Sequence, residues 1–252
     1  MISPMEKVLI VTGGSRGIGA ATAKLAATQG YAVCVNYLTN QLAADAVVAE
    51  IQALGGIALA MAADLSVEAQ VLALFQRVDL ELGPVTALVN NAGILEKQSS
   101  LLGMDQGRLQ RVFAVNVIGP MLCAREAVKR MSVKLGGKGG AIVNVSSVAS
   151  RLGAPGEYVD YAASKGALDS FTLGLSKEVA DQGIRVNSVR PGFIYTDIHA
   201  SGGEPDRVDR IKDSIPMKRG GQPEEVAQAI LWLLSEQASY ATGTFIDLAG
   251  GR

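Results

Sequence analysis

The chain has few of the residues that build metal and disulfide sites. Its 252 residues include two cysteines and one histidine, and the cysteines do not form a C-x-x-C spacing. Because one imidazole cannot supply a multi-histidine site, we expect no structural or catalytic zinc. Cys34 and Cys123 each lie in an apolar run. We expect both to be buried small hydrophobic side chains rather than redox centres.

The chain also lacks an excess of one charge and any long apolar run. Its 23 basic and 24 acidic residues give a net charge of -1, which provides no basic field for nucleic acid. Apolar runs such as residues 229–234 are far shorter than the roughly 20 residues that span a bilayer. Residues 1–7 lack the apolar core of a signal peptide. We therefore expect a soluble, cytoplasmic protein with neither nucleic acid nor membrane as a partner.

Short apolar runs alternate with longer helical patterns along the whole chain. The alternation predicts an α/β fold of the single-domain, Rossmann-type, doubly wound kind, with a seven-stranded parallel sheet flanked by helices on both faces. The predicted strands are residues 8–11, 32–35, 57–62, 87–89, 141–145, 185–189 and 245–248. The predicted helices are residues 17–29, 41–54, 67–82, 105–134, 158–180 and 223–235.

No repeat or linker interrupts this pattern, so we expect one domain over residues 1–252. The longest gap between predicted elements, residues 191–223, contains two adjacent glycines. Long loops of this kind are commonly functional. We expect residues 195–217 to form a mobile lid over the substrate.

A glycine-rich turn directly follows the first predicted strand. It reads Thr12-Gly13-Gly14-Ser15-Arg16-Gly17-Ile18-Gly19. Glycines between a strand and a helix let the backbone approach a pyrophosphate, which the helix N-terminus then holds. The alternatives are a tight turn without ligand and the G-x-S-x-G nucleophile elbow of a hydrolase, with Ser15 as nucleophile. Too few residues precede the turn to build the strands and oxyanion loop that the elbow needs.

Tyr161 and Lys165 lie four residues apart in a segment predicted to be helical, so they share one helix face. The phenol of tyrosine has an unperturbed pKa of about 10, and a nearby cation lowers that pKa by stabilising the phenolate. The pair therefore predicts proton transfer to or from an oxygen atom. A tyrosine on the helix surface without a role in chemistry is the alternative.

Several motifs occur in one order along the chain. After the glycine-rich turn come Asn90-Asn91-Ala92-Gly93, Asn116 in a long helix, Ser147 after the fifth strand, the Tyr161/Lys165 pair, and Pro191-Gly192 after the sixth strand. This arrangement resembles the short-chain dehydrogenase/reductase family, single-domain type. Within the family, the chain is most similar to the 3-oxoacyl-carrier-protein reductase and glucose 1-dehydrogenase group.

The resemblance implies a role for each of the candidate catalytic residues Asn116, Ser147, Tyr161 and Lys165. Tyr161 is expected to be the general acid/base. Lys165 is expected to bind the nicotinamide ribose and to lower the pKa of Tyr161. Asn116 is expected to hold a relay water, and Pro120, which lacks an N–H, leaves the Asn116 carbonyl without its usual helical partner. The alternative for Pro120 is a kink that only shapes packing.

Two adjacent serines compete for contact with the substrate carbonyl. The family places this serine second in the pair, so we expect Ser147 to hold the carbonyl by a hydrogen bond. Adjacent side chains on a strand point to opposite sides. We therefore expect Ser146 to satisfy a backbone group instead.

The resemblance also implies a dinucleotide cofactor. Dinucleotide folds that bind NAD carry an acidic residue after the second strand, but Asn36 and Tyr37 occupy that place here. Arg16 stands where NADP-preferring relatives have a cation, so NADP(H) is favoured. NAD(H) stays possible, because one arginine could be an exposed helix-start residue. The expected cofactor-binding residues are Gly13, Ser15, Arg16, Gly17, Ile18, Gly19, Asn36, Tyr37, Asp64, Leu65, Asn91, Ala92, Gly93, Tyr161, Lys165, Pro191, Gly192, Ile194 and Thr196.

Together these features predict an oxidoreductase that transfers a hydride between NADP(H) and a small carbonyl or alcohol substrate. A catalytically silent dinucleotide-binding regulator is the alternative. Residues 94–107, 148–160 and 195–217 are expected to form the substrate pocket, but their side chains select no single compound. We expect His199 to be a solvated loop residue, with substrate contact as the alternative. The resemblance further implies a homotetramer formed through residues 105–134, 158–180 and 245–248.

Overall fold

The structure is a computed structural model that describes residues 6–252. The expectations for residues 1–5, which concern a signal peptide and the start of the domain, lie outside this range. The fold is built on one seven-stranded sheet in which every neighbouring pair is parallel. Its strands are β1 (Val8–Val11), β2 (Ala32–Tyr37), β3 (Ala58–Ala62), β4 (Ala87–Asn90), β5 (Gly140–Val145), β6 (Ile184–Pro191) and β7 (Phe245–Leu248).

Helices cover both faces of the sheet. They are α1 (Gly17–Thr28), α2 (Gln41–Ala53), α3 (Glu68–Glu81), α4 (Gln106–Phe113), α5 (Gly119–Met131), α6 (Ala149–Leu152), α7 (Val159–Val179), α8 (Ile198–Ser201), α9 (Arg207–Ile211) and α10 (Pro223–Leu234). Leu9 and Val11 of β1 pack in one core cluster with α1, α2 and α10. Val8 and Ile10 pack in the other cluster with α3 and α5. Successive strand residues point to opposite faces, so the continuous apolar run fills two cores, which confirms the predicted doubly wound fold.

The sheet order β3-β2-β1-β4-β5-β6-β7 fixes where a ligand can bind. Strands β2 and β3 lie on one side of β1, and strands β4 to β7 lie on the other side. Ligands of such sheets bind at this switch point, in the crevice outside the carboxyl ends of the strands. Val11 pairs with Val35 on one side and with Val89 on the other. The glycine-rich turn, the end of β2 and the end of β4 therefore meet at one edge.

The structure differs from the predicted elements in three places, one of which is the short helix α6 between the fifth strand and the next predicted helix. The helix predicted for residues 105–134 is interrupted by a π-helical segment, Ala114–Ile118, between α4 and α5. Pro120 lies in the first turn of α5 and has no N–H for the Asn116 carbonyl, so a regular α-helix cannot continue across this point. The gap between β6 and α10 contains α8 and α9 rather than only loop.

Two smaller observations complete the fold. Cys34 and Cys123 are both buried, as predicted. Within residues 6–252, none of the helices is both long enough and apolar enough to cross a bilayer.

Candidate active site

The glycine-rich turn packs so closely on the end of β4 that larger residues do not fit. Gly13 has φ +59°, and a Cβ there would lie 3.0 Å from the Cα of Ala92. A Cβ on Gly19 would meet the Gly13 carbonyl oxygen and would lie 2.6 Å from Nδ2 of Asn91. Only glycine avoids both contacts. Gly19 is therefore required for packing, and it does not line the cavity described below, while its contact with a cofactor stays a prediction.

Hydrogen bonds from β4 fix the shape of this turn. The Asn91 side chain donates from Nδ2 to the carbonyl oxygens of Thr12 at 2.9 Å and Gly13 at 3.0 Å. The Thr12 hydroxyl accepts from the backbone N–H groups of Asn91 at 2.9 Å and Ala92 at 3.0 Å. Asn91 and Ala92 thus hold the turn in place in addition to lining the cavity.

Asn36 ties the glycine-rich turn to β2 and β3. Its buried side chain donates from Nδ2 to the carbonyl oxygens of Met61 at 3.2 Å and Ala63 at 3.3 Å, and its Oδ1 accepts from the Gly13 N–H at 3.4 Å. Arg16, by contrast, is exposed and has no ion-pair partner within residues 6–252. Its guanidinium is available to an anion at this end of the site.

One cavity of about 810 Å³ brings most of the predicted residues together. Of the predicted site residues, the cavity is lined by Gly13, Ser15, Arg16, Gly17, Ile18, Asn36, Tyr37, Asp64, Leu65, Asn91, Ala92, Gly93, Ser147, Tyr161, Lys165, Pro191, Gly192, Ile194 and Thr196. Asn116 and Gly19 lie outside its wall. The glycine-rich turn and the Tyr161/Lys165 pair, far apart in the sequence, therefore share one cavity.

Lys165 lies buried beside the partly buried Tyr161. Its Nζ is 5.5 Å from the centroid of the Tyr161 ring and donates to the Val145 carbonyl oxygen at 2.9 Å. Burial lowers the pKa of Lys165 to about 8, and the negative charge of Asp169 opposes this effect. Lys165 is therefore mostly protonated at neutral pH.

Burial also dominates the pKa of Tyr161. It raises that pKa to about 12, although hydrogen bonding to Ser147 acts in the opposite direction. Desolvation of the phenolate outweighs the hydrogen bond with Ser147, and Lys165 does not contribute to the pKa of Tyr161 in this structure, so the expectation that Lys165 lowers this pKa is not met here. Tyr161 therefore carries its proton at neutral pH, as a general acid requires.

Asn116 connects the π-helical segment to the loop after β4. Its Oδ1 accepts from the Ile94 N–H at 2.8 Å, while its Nδ2 donates to the Ile94 carbonyl oxygen at 3.0 Å and to the Ser164 hydroxyl at 3.1 Å. A Cβ on Gly93 would lie 3.4 Å from Oδ1 of Asn116 and 3.5 Å from Nζ of Lys165. Asn116 thus lies behind the cavity wall, close to Lys165.

The two adjacent serines have different surroundings. The Ser146 hydroxyl is buried and donates to the Lys165 carbonyl oxygen at 3.2 Å, so it satisfies a backbone group, as predicted. The Ser147 hydroxyl accepts from the Ala149 N–H at 3.1 Å and is the one that interacts with Tyr161. Ser147 is therefore the better placed of the two to contact a substrate beside Tyr161.

The cavity wall near α8 and α9 is more buried than the sequence indicated. His199 lies on α8, is only 9% exposed and lines the cavity, so the expectation of a solvated loop residue is wrong. Arg207 is also buried, where it pairs with Glu157 and, at 2.7 Å, with Glu204. These ion pairs hold α9 against the loop that precedes α7.

Several lining residues escaped the sequence analysis. Leu38, Thr39 and Asn40 continue the wall beyond β2, and their place after a strand at the switch point could have identified them. Phe193 and Arg252 line the other end, with the Arg252 guanidinium 5.0 Å from the Phe193 ring centroid. Nothing in the sequence pairs the C-terminal residue with a loop near residue 193.

The sequence resembles known proteins over nearly its whole length. Residues 13–252 match a family described as enoyl-(acyl carrier protein) reductase. An uncharacterized oxidoreductase of Escherichia coli K12, YgfF, is 64% identical over 97% of this chain and 99% of its own length. A 3-oxoacyl-(acyl-carrier-protein) reductase of Synechocystis is 42% identical, and the match covers 100% of this chain and 98% of that protein.

Solved structures show the same fold. A dehydrogenase/reductase from Sinorhizobium meliloti 1021 is 34% identical, with a TM-score of 0.90 over 99% of this chain and 96% of the other. A short-chain dehydrogenase from Burkholderia cenocepacia J2315 in complex with NADP is 33% identical, with a TM-score of 0.89 over 97% of each chain. Both matches span the sheet and the cavity described above.

Proposed function

Because the chain belongs to the short-chain dehydrogenase/reductase family of oxidoreductases, we propose that it transfers a hydride between NADP(H) and a small carbonyl or alcohol substrate. The observation that carries this proposal is the shared cavity. A glycine-rich turn at a helix N-terminus lines one end, and Ser147, Tyr161 and Lys165 line the other. Such a cavity suits a dinucleotide bound beside a proton donor.

The residues present fit a dinucleotide. Gly13 and Gly17 line the cavity before and at the start of α1, where a Cβ would lie 3.0 Å from Ala92 and Thr196 respectively, and a helix N-terminus favours phosphate. Asp64 and Leu65 would frame the adenine, while Ile194 and Thr196 would hold the carboxamide. Arg16 is exposed and has no ion-pair partner among the described residues 6–252, which supports NADP(H) over NAD(H).

The bound nicotinamide supplies the hydride, and the protein supplies position and a proton. Ser147 would hold the substrate oxygen by a hydrogen bond. Tyr161 would give its phenolic proton to that oxygen during carbonyl reduction and take it back during alcohol oxidation. Lys165 would bind the ribose and stabilise the phenolate left by proton transfer. Asn116 would support a relay water near Lys165.

The proposal is tested by replacing the proton donor. Tyr161→Phe removes only the hydroxyl, so we expect a loss of turnover of at least 10²-fold, with NADPH affinity nearly unchanged. Turnover is followed by NADPH absorbance with a panel of sugars, 3-oxoacyl thioesters, diketones and cyclic alcohols, and affinity by quenching of NADPH fluorescence. A variant with the wild-type rate would contradict the proposed role of Tyr161.

The same panel separates the alternative functions. A catalytically silent regulator would bind NADPH but turn over none of the compounds. A hydrolase that uses Ser15 is disfavoured because the family is one of oxidoreductases. The observations therefore favour the dehydrogenase/reductase.

We also propose a domain organisation, a localisation and an oligomeric state for the enzyme. We propose a single domain over residues 1–252, with residues 195–217 acting as a lid over the substrate. We further propose a cytoplasmic homotetramer, since the family usually assembles in this way. Neither the lid nor the assembly is needed for the chemical argument above.

A further inference from the structure

The single histidine of the chain lies in the wall of the cavity. His199 is buried on α8, and its neighbours in the cavity wall include Phe193 and Ile198. The mechanism proposed above assigns no role to this side chain. Its two ring nitrogens have different surroundings.

Nε2 of His199 lies 3.0 Å from the Ile194 carbonyl oxygen. A carbonyl oxygen can only accept a hydrogen bond, so Nε2 must carry the proton. Burial lowers the pKa of His199, and the charge of Arg207 acts in the same direction, against the opposing effect of the Ile194 carbonyl. The ring is therefore neutral at pH 7, and Nδ1 is left with a bare lone pair.

Nδ1 of His199 is shielded from solvent and has no hydrogen-bond partner in the part of the chain that the structure describes. Buried polar atoms without a partner are rare in native proteins, and each needs an explanation. Two donors of the same region, Tyr158 and Arg207, have other partners. The Tyr158 hydroxyl donates to the Gly202 carbonyl oxygen at 3.1 Å, and the Arg207 guanidinium is paired with two carboxylates.

We infer that His199 determines substrate specificity, because its Nδ1 accepts a hydrogen bond from a hydroxyl group on the substrate. The enzyme then prefers carbonyl compounds that carry a hydroxyl near the carbonyl over those that lack one. Because Nδ1 is shielded in the structure as it stands, this contact requires α8 to move when a substrate binds. This inference rests on the proposed function, which it deepens by naming a substrate class.

Two substitutions test the roles of Nε2 and Nδ1 of His199 separately. His199→Gln keeps an N–H near the position of Nε2, where it can bond the Ile194 carbonyl, but provides no acceptor near Nδ1. His199→Asn has the opposite effect, since its amide oxygen lies near the position of Nδ1 and the link to Ile194 is lost. Ser201→Ala is a matched control on the same helix, because Ser201 is exposed and does not line the cavity.

The kinetic test compares 3-hydroxybutan-2-one with butan-2-one as substrates, using NADPH. A site built to hydrogen-bond a hydroxyl discriminates against the analogue that lacks it, so we expect wild-type protein to favour the hydroxy ketone at least tenfold in kcat/KM. His199→Gln should reduce this ratio about tenfold, whereas His199→Asn and Ser201→Ala should retain it. An unchanged ratio in His199→Gln would overturn the inference.

A second measurement does not depend on turnover. Because His199 is the only histidine, ¹⁵N-histidine labelling of tag-free protein gives imidazole signals from one residue. We expect the Nε2–H tautomer, and an upfield shift of the Nδ1 signal when butane-2,3-diol is added with NADP⁺ but not when butan-2-ol is added. The Nδ1–H tautomer, equal responses to the two alcohols, or no response to either would overturn the inference.

The two measurements distinguish a failure of the proposed function from a failure of the proposed role of His199. If no carbonyl compound is reduced by the wild-type protein, the proposed function fails, and the ¹⁵N signals still report whether Nδ1 accepts a hydroxyl. If reduction occurs without preference for the hydroxy ketone, the proposed function stands and the role of His199 fails.

Discussion

Lys165 is a buried cation whose charge is supported by a carboxylate one helical turn away. Asp169 is buried on the same helix, where its Oδ2 accepts from Nε of Arg190 at 2.9 Å. The other oxygen, Oδ1, has no partner within residues 6–252. Burial lowers the pKa of Lys165 from 10.5 to about 8, and Asp169 limits that decrease. Asp169 is thus a positioning residue that acts through Lys165.

We expect Asp169→Asn to lower the pKa of Lys165 below about 8, because the substitution removes the opposing charge. Carbonyl reduction needs Lys165 in its charged form to stabilise the developing phenolate, so activity should decrease with rising pH, and in the variant the decrease should begin at lower pH. The pH profile of kcat/KM measures this shift. Asp247→Asn is the control, because Asp247 also contacts Arg190, at 3.6 Å, but does not affect the pKa of Lys165. Coincident profiles for wild type and Asp169→Asn would contradict the prediction.

Arg16 provides a second prediction at this scale, for cofactor choice. Arg16→Ala removes a cation from the end of the cavity next to Asn36 and Tyr37, so binding of NADPH should weaken about tenfold or more while binding of NADH changes little. Titration with each cofactor measures the two dissociation constants. Lys24→Ala removes a cation from the same helix but away from the cavity. Equal weakening for both cofactors would show that Arg16 does not recognise the 2′-phosphate.

At the scale of elements, the first turn of α1 depends on a glycine that does not face the cavity. Gly19→Ala places a methyl group against the Gly13 carbonyl and Asn91, so α1 or the turn must shift. We expect NADPH affinity to fall at least tenfold, measured by fluorescence titration. Ala21→Gly is the matched control, because it destabilises the helix by roughly 0.5–1 kcal/mol without changing the turn. Unchanged NADPH affinity in Gly19→Ala would show that the turn tolerates the shift.

Sequence patterns predicted the elements well wherever local information was sufficient. The strand Val8–Val11 is buried throughout and has the predicted bounds, since a short apolar run is recognisable by itself. The strand Phe245–Leu248 also has the predicted bounds, although it is partly exposed. The π-helical segment was missed although Pro120 was identified as a disruption. A missing N–H shows that a regular helix must change, but not whether it kinks or widens.

The same difference between local and distant information applies to the residues of the candidate site. Residues in contiguous motifs, such as Gly13 and Tyr161, line the cavity as predicted. His199 and Arg252 were missed or misjudged because their burial and contacts depend on segments far away in the sequence. The pKa of Tyr161 was misjudged for a similar reason, since the spacing of Tyr161 and Lys165 reveals the nearby cation but not the desolvation that opposes it.

At the scale of the whole molecule, the proposed homotetramer can be tested by introducing a charge on a helix surface. Leu173 of α7 is 43% exposed, on an element that the family uses for assembly. Leu173→Glu places a charge there, and a buried unpaired charge is strongly unfavourable. We expect the variant to dissociate, as measured by multi-angle light scattering at micromolar concentration. Leu80→Glu on α3, where Leu80 is 87% exposed, should remain a tetramer. A monomeric wild-type protein would contradict the assembly itself.

The hydrogen bonds between the glycine-rich turn and the residues after β4 affect the order in which the protein folds. The turn is encoded within the first 19 residues, but Thr12 and Gly13 obtain their hydrogen bonds from Asn91 and Ala92, 78 to 80 positions later. Contacts across such a sequence distance form late, after the intervening chain has been ordered. The shape of the glycine-rich turn is therefore fixed only once the segment after β4 is in place, so this part of the site forms late in folding.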